Sequence, residues 1–151
     1  MQTFLPYQSY EQSAKCLDNR RLGKQRVEVW QIYRASNGET KGWANHPATK
    51  MWDDYDWQLL EYGIICCNEW IARGFNDTLR DKMIEAQTLW ERGSDPWWLT
   101  ETDLCLSHRS NLLRKDREHY IKYFDVSTPD DLEYVWPSKL PIFAKKSILK
   151  E

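Results

Sequence analysis

No run of apolar residues in this chain approaches the roughly 18 that a membrane-spanning helix requires, so no membrane partner is expected. The opening residues Met1-Gln2-Thr3-Phe4-Leu5-Pro6 lack the basic start and apolar centre of a secretory leader, and a cytoplasmic location is expected. Cysteine is sparse: Cys16, Cys66, Cys67 and Cys105 form no CxxC pair and have no histidine at zinc-ligand spacing. They read as reduced, buried thiols, and no cofactor is expected. Histidine is limited to His46, His108 and His119. There is no GxSxG elbow, no Walker-type phosphate loop and no HExxH helix, which sets aside the chemistries those motifs serve. Asp53, Asp54 and Asp56 leave a carboxylate metal cluster open, although acids in the first turn of a helix are ordinary partners of its dipole. Period-two alternation of useful length is also missing, as are internal repeats, and this excludes a sheet-based or solenoid design.

What is present suits one domain over residues 1–151, with 41% hydrophobic and 29% charged residues. Nine Trp and eight Tyr exceed what a core of this size needs and suit a surface that stacks on flat rings. A net charge of −2 conceals strong segregation. Residues 1–34 carry six Lys/Arg against three Asp/Glu, and residues 104–123 carry five against two. Between them, residues 51–103 carry four against twelve. A fold that brings the two basic segments together creates one cationic surface for a polyanion.

The periodicity predicts an all-α fold of about four helices with an extended C-terminal tail. Residues 1–8 are a short apolar lead expected to pack onto the body. Ser9 and Gln12 have capping-box spacing, and a helical pattern runs from Arg20 to about Arg34 before Ser36-Asn37-Gly38 ends it. A helix over 47–73 is the clearest, with Pro47 in its first turn and Trp52, Tyr55, Leu59, Tyr62, Cys66 and Trp70 down one face. Asp77 caps a third helix, Leu104 to about Lys115 forms a fourth, and a last helical turn follows over 117–124. Pro129, Pro137 and Pro141 then break the chain into a docked tail.

The most informative stretch is Asp18-Asn19-Arg20-Arg21-Leu22-Gly23-Lys24-Gln25-Arg26-Val27-Glu28. At 100° per residue Arg21, Lys24, Gln25 and Glu28 share one helix face, and Leu22, Val29 and Tyr33 share another. Two readings fit. Lys24 and Glu28 are either an i,i+4 pair worth roughly 0.2–0.5 kcal/mol, or part of a phosphate-binding face that carries one acid for chemistry.

The stretch, together with Thr3-Phe4-Leu5-Pro6-Tyr7, Asn45-His46-Pro47-Ala48, Met51-Trp52, Glu69-Trp70, Arg73-Gly74-Phe75, Ser107-His108-Arg109-Ser110, Leu112-Leu113-Arg114-Lys115, His119-Tyr120 and Tyr134-Val135-Trp136-Pro137, resembles the pyrimidine-dimer DNA glycosylase family. The family resembled is that of the phage-type UV endonuclease V, and the likeness is greater to its bacterial and phage branch. The resemblance implies an all-α DNA glycosylase that binds duplex DNA, flips out a damaged or modified pyrimidine and uses the N-terminal amine on C1′, with abasic-site lyase activity and assistance from Glu28; a monomer is expected. The bulk of Gln2 hinders removal of the initiator, so Met1 is the expected nucleophile; a chain beginning at Gln2 loses its amine on cyclisation. Cations implied to bind DNA are Arg20, Arg21, Lys24, Arg26, Arg109, Arg114 and Lys115, with His108 beside them. Arg21, Lys24, Arg26, Arg109 and Lys115 are expected to line one groove. His46 reads as a helix cap or a phosphate contact, and Tyr120 and Tyr123 as core packing or as stacking near an extruded base. Two alternatives differ in class: a glycosylase in which Glu28 activates water, and a non-catalytic DNA-binding module on the same scaffold. A scaffold processing free nucleotides is a weaker third.

Overall fold

The structure is a computed structural model and describes residues 2–137. Among these the chain forms seven α-helices and one 3-10 turn, and no strand. Ser9 accepts the Gln12 amide at 3.2 Å and starts α1 (Tyr10–Cys16). Asp18 caps α2 (Asn19–Ser36), and Gly38, at φ 78°, follows its end in the left-handed conformation that glycine adopts without strain. The expected helix over 47–73 is two helices. His46 and Pro47 start α3 (Pro47–Lys50), and Asp54 then takes φ 70°, which breaks the ladder before α4 (Asp56–Ala72) begins. The remaining elements are α5 (Arg80–Gln87), the 3-10 turn Trp97–Thr100, α6 (Thr102–Lys115) and α7 (Arg117–Tyr120).

The predicted stripe faces inward, with Trp52 and Tyr55 just before α4 and the rest on it. Trp52, Leu59, Tyr62 and Cys66 are buried, with Tyr55 and Trp70 packed at the edge of the same core. Trp98 meets Trp52 edge to face at 4.9 Å and donates its indole N–H to the Met51 carbonyl at 2.7 Å, so the apolar body and the polar tip are both satisfied. All four cysteines are buried free thiols, and burial pushes Cys16 and Cys67 up to about 12. No helix among the described residues is long and apolar enough to cross a membrane.

Two features position the site. The apolar lead runs as an extended segment with Phe4 and Leu5 buried, held by side chains of α2, α4 and α6. The tail docks on α6, where Ser110 accepts the Leu132 amide at 3.0 Å and Ser107 accepts the Val135 amide at 3.1 Å. Pro141 lies outside the described residues.

The close crossing of α2 and α4 depends on Gly63. A Cβ there would sit 2.6 Å from both the Met83 sulfur and a Val29 methyl. The thioether can rotate away, but the β-branched valine is held by the core. Gly63→Ala is therefore expected to destabilise the protein by about 1–3 kcal/mol, read from urea or thermal unfolding.

Candidate active site

Helix α2 sorts its polar residues by direction. Arg20 and Lys24 are exposed, Arg21 is half-buried, and Gln25 and Glu28 are buried. With Lys115 from the end of α6, these cations ring a cavity of about 360 Å³ whose wall includes Glu28. Gln2, Phe4 and Tyr134 complete the lining. The two basic segments of the sequence thus meet through Arg20, Arg21, Lys24 and Lys115.

Glu28 is 3% exposed. Burial raises its carboxyl above the usual range, while the amino-terminal charge, Lys24 and a hydrogen bond from the Gln2 backbone pull in the other direction. The acid therefore sits at the base of a cationic pocket, beside the second residue of the chain. Met1, an expected catalytic residue, lies outside the described residues. Arg21 reaches the pocket while keeping its guanidinium 3.3 Å from Asp18, the cap of its own helix.

Several residues expected at a DNA surface have protein partners, and of the five cations expected to line one groove, Arg21, Lys24 and Lys115 line the pocket. Arg26 lies on the far side of α2, where it pairs with Asp77 and stacks over Trp70 at 4.6 Å. Its neighbour Gly23 lets that indole approach, since a Cβ there would be 2.8 Å from it. Arg109 donates to the Pro6 carbonyl at 2.6 Å, and Arg114 holds the tail through the Asp130 and Leu132 carbonyls at 2.6 and 2.7 Å. His108 has no exposed surface and accepts the Leu5 amide at 2.8 Å; burial lowers its pKa to about 3, so it is neutral and carries no charge for a phosphate. Tyr120 is buried, with its hydroxyl bonded to the Asp18 carboxylate and accepting the Asp18 amide. Tyr123 is 47% exposed but is not part of the pocket wall; its ring lies against His119 at 5.3 Å. His46 accepts the Ala48 amide at 3.0 Å as the cap of α3, with Trp43 and Trp136 edge-on at 5.5 and 6.1 Å.

Phe4 and Tyr134 line the pocket without having been singled out as site residues. Their signal is present only as membership of an apolar lead and an aromatic tail; that both ends of the chain converge on α2 is a tertiary fact.

A helical protein with a buried acid beneath a ring of cations belongs to the class that binds a polyanion and has a group able to move protons at it. The family model for pyrimidine dimer DNA glycosylase matches residues 1–83, more than half of the chain, and the protein belongs to that family. It is a DNA glycosylase, and DNA is its partner. Comparison with curated proteins finds no match, nor does comparison with solved structures. The matched span contains Glu28 and the α2 cations, while Lys115 and Tyr134 come from beyond it.

The two kinds of cation separate by experiment. Lys24→Ala and Lys115→Ala are expected to change stability by less than about 1 kcal/mol and to lower the salt dependence of DNA affinity by about one counterion each. Arg26→Ala, which removes the ion pair from an Asp77 side chain only 2% exposed but leaves it the Leu79 and Arg80 amides, is expected to cost about 1–3 kcal/mol of stability without changing that salt slope. A reduced slope for Arg26→Ala at intact stability would place it on the DNA.

Proposed function

We propose that this glycosylase excises a damaged or modified pyrimidine by turning the nucleotide out of the duplex into the α2–α6 pocket, with Glu28 handling protons and the chain's amino group as nucleophile. Extrusion is required because the glycosidic bond of a stacked base is out of reach of a recessed acid. The carrying observation is the position of Glu28, buried below Lys24, Arg21 and Lys115 and hydrogen-bonded by the Gln2 backbone. By covalent geometry the nitrogen of residue 1 lies within about 4 Å of that of residue 2. An amino group there is therefore within reach of the same pocket.

In this reading the neutral amine forms a bond to the sugar C1′ as the bond from C1′ to the base breaks. The base leaves with the electron pair and takes a proton, and the amine gives up a proton to Glu28. Opening of the sugar ring then produces an imine between the chain and C1′. Loss of a C2′ proton expels the 3′ phosphate and breaks the strand, and water releases the enzyme. Exposed cations hold the flanking phosphates. A reference pKa near 7.7–8.0 leaves a useful fraction of the amine neutral at pH 7. We take residues 1–151 to act as one glycosylase domain, as a monomer.

Borohydride trapping on a duplex containing an abasic site tests the amine: an imine is expected to become a permanent protein–DNA link. Base release without trapping, leaving alkali-sensitive strands, would instead assign Glu28 to activating water. A panel of duplexes carrying different modified pyrimidines identifies the base.

Glu28→Gln is expected to slow base release at least about 100-fold with duplex affinity nearly unchanged. The same change is expected to raise the thermal midpoint at neutral pH. A carboxyl whose folded pKa exceeds its ordinary 4.5 binds its proton more tightly in the folded state. Ionised Glu28 therefore costs stability, beginning as pH rises through its unfolded value and complete above its folded one. The midpoints of Glu28→Gln and the parent chain should converge in acid. Loss of rate accompanied by loss of stability would point to a structural glutamate instead.

A further inference from the structure

We propose that Gln25 is a positioning residue for this reaction: its side-chain amide clamps the main chain on both sides of Thr3 and so holds Gln2, from which the amino group extends, beside Glu28. The inference rests on the amine reading above and deepens it. Gln25 has no exposed surface, which is uncommon for glutamine and requires that both ends of its amide find partners. They do so on one short segment: Oε1 accepts the Phe4 amide at 2.7 Å, and Nε2 donates to the Gln2 carbonyl at 3.0 Å. A single side chain thereby pairs with the backbone as a neighbouring strand would. It lies three residues before Glu28, on the same face of α2, so the acid and the clamp move as one rigid unit.

The other buried contacts to this segment serve groups farther from the terminus or a side chain. The Tyr62 hydroxyl donates to the Phe4 carbonyl, His108 accepts the Leu5 amide, Arg109 donates to the Pro6 carbonyl, and the Trp52 indole donates to the Thr3 hydroxyl. Of these, Gln25 is the one that grips the Gln2 carbonyl. Gln2 is thus held at both of its backbone groups, the amide by Glu28 and the carbonyl by Gln25. A nucleophile displaced by about 1 Å loses on the order of 100-fold in rate, which makes such a grip consequential.

Gln25→Met preserves the volume and removes both hydrogen bonds. In the full-length protein we measure single-turnover borohydride trapping on an abasic duplex, duplex affinity, the thermal midpoint and amide hydrogen exchange of the first residues. The trapping rate is expected to fall at least tenfold while affinity stays within twofold, with exchange protection lost at Phe4. Should Gln25→Met not fold, Gln25→Asn, which draws the same amide back by one methylene, is read in the same way. Trapping at the parent rate in a folded variant would overturn the proposal, as would affinity and rate falling in parallel with the midpoint. Absence of trapping in the parent protein is a different result, which removes the amine reading and the role of Gln25 with it.

Discussion

The docking of residues 2–6 against α2 is the constraint on which the site depends. An extended segment inside a helical protein exposes peptide groups that no helix ladder can satisfy, and burying them without partners would cost more than the apolar contacts of Phe4 and Leu5 return. Side chains therefore supply the partners: Gln25 from α2, Tyr62 from α4, and His108 and Arg109 from α6. Three helices are fixed to one strand-like segment, and the same arrangement brings the start of the chain beside Glu28. Structure and site share one set of hydrogen bonds.

This explains how the cations divide. Arginine presents several donors in a planar fork, which suits gathering carbonyls or closing on a buried carboxylate. Arg109 and Arg114 serve carbonyls of the two chain ends, Arg73 gathers the carbonyls of Ala14, Lys15 and Leu17, and Arg26 meets Asp77. The exposed charges around the pocket are Arg20, Lys24 and Lys115, whose ends stay in water where a phosphate can exchange with it. The cationic surface is smaller than a count of basic residues suggests, and more concentrated around the acid.

Burying Glu28 is costly to the fold, and it is offset only in part by the charges around it. Burial makes this carboxyl bind its proton more tightly than one in water does, while the amino-terminal charge and Lys24 act against that. The cost falls at the pocket wall, and the remainder of α2 contributes Leu22, Val29 and Ile32 to the core, all fully buried.

The sequence by itself determined the helical class, the inward stripe of α4, the glycine-terminated helices and the grouping of Arg21, Lys24, Gln25 and Glu28 on one face. These follow from local periodicity and capping, which act over a few residues and are written in the spacing. It also carried the family likeness, since that rests on strings of adjacent residues. Tertiary structure alone decided that α3 and α4 are separate, through the left-handed turn at Asp54, and that His108 and Tyr120 are internal. It decided too which arginines reach solvent, because a guanidinium facing a buried carboxylate and one facing water are identical in sequence. Tyr134 reaches the pocket for the same reason: a contact across more than a hundred residues depends on how the chain ends pack around α2, and no local pattern encodes that.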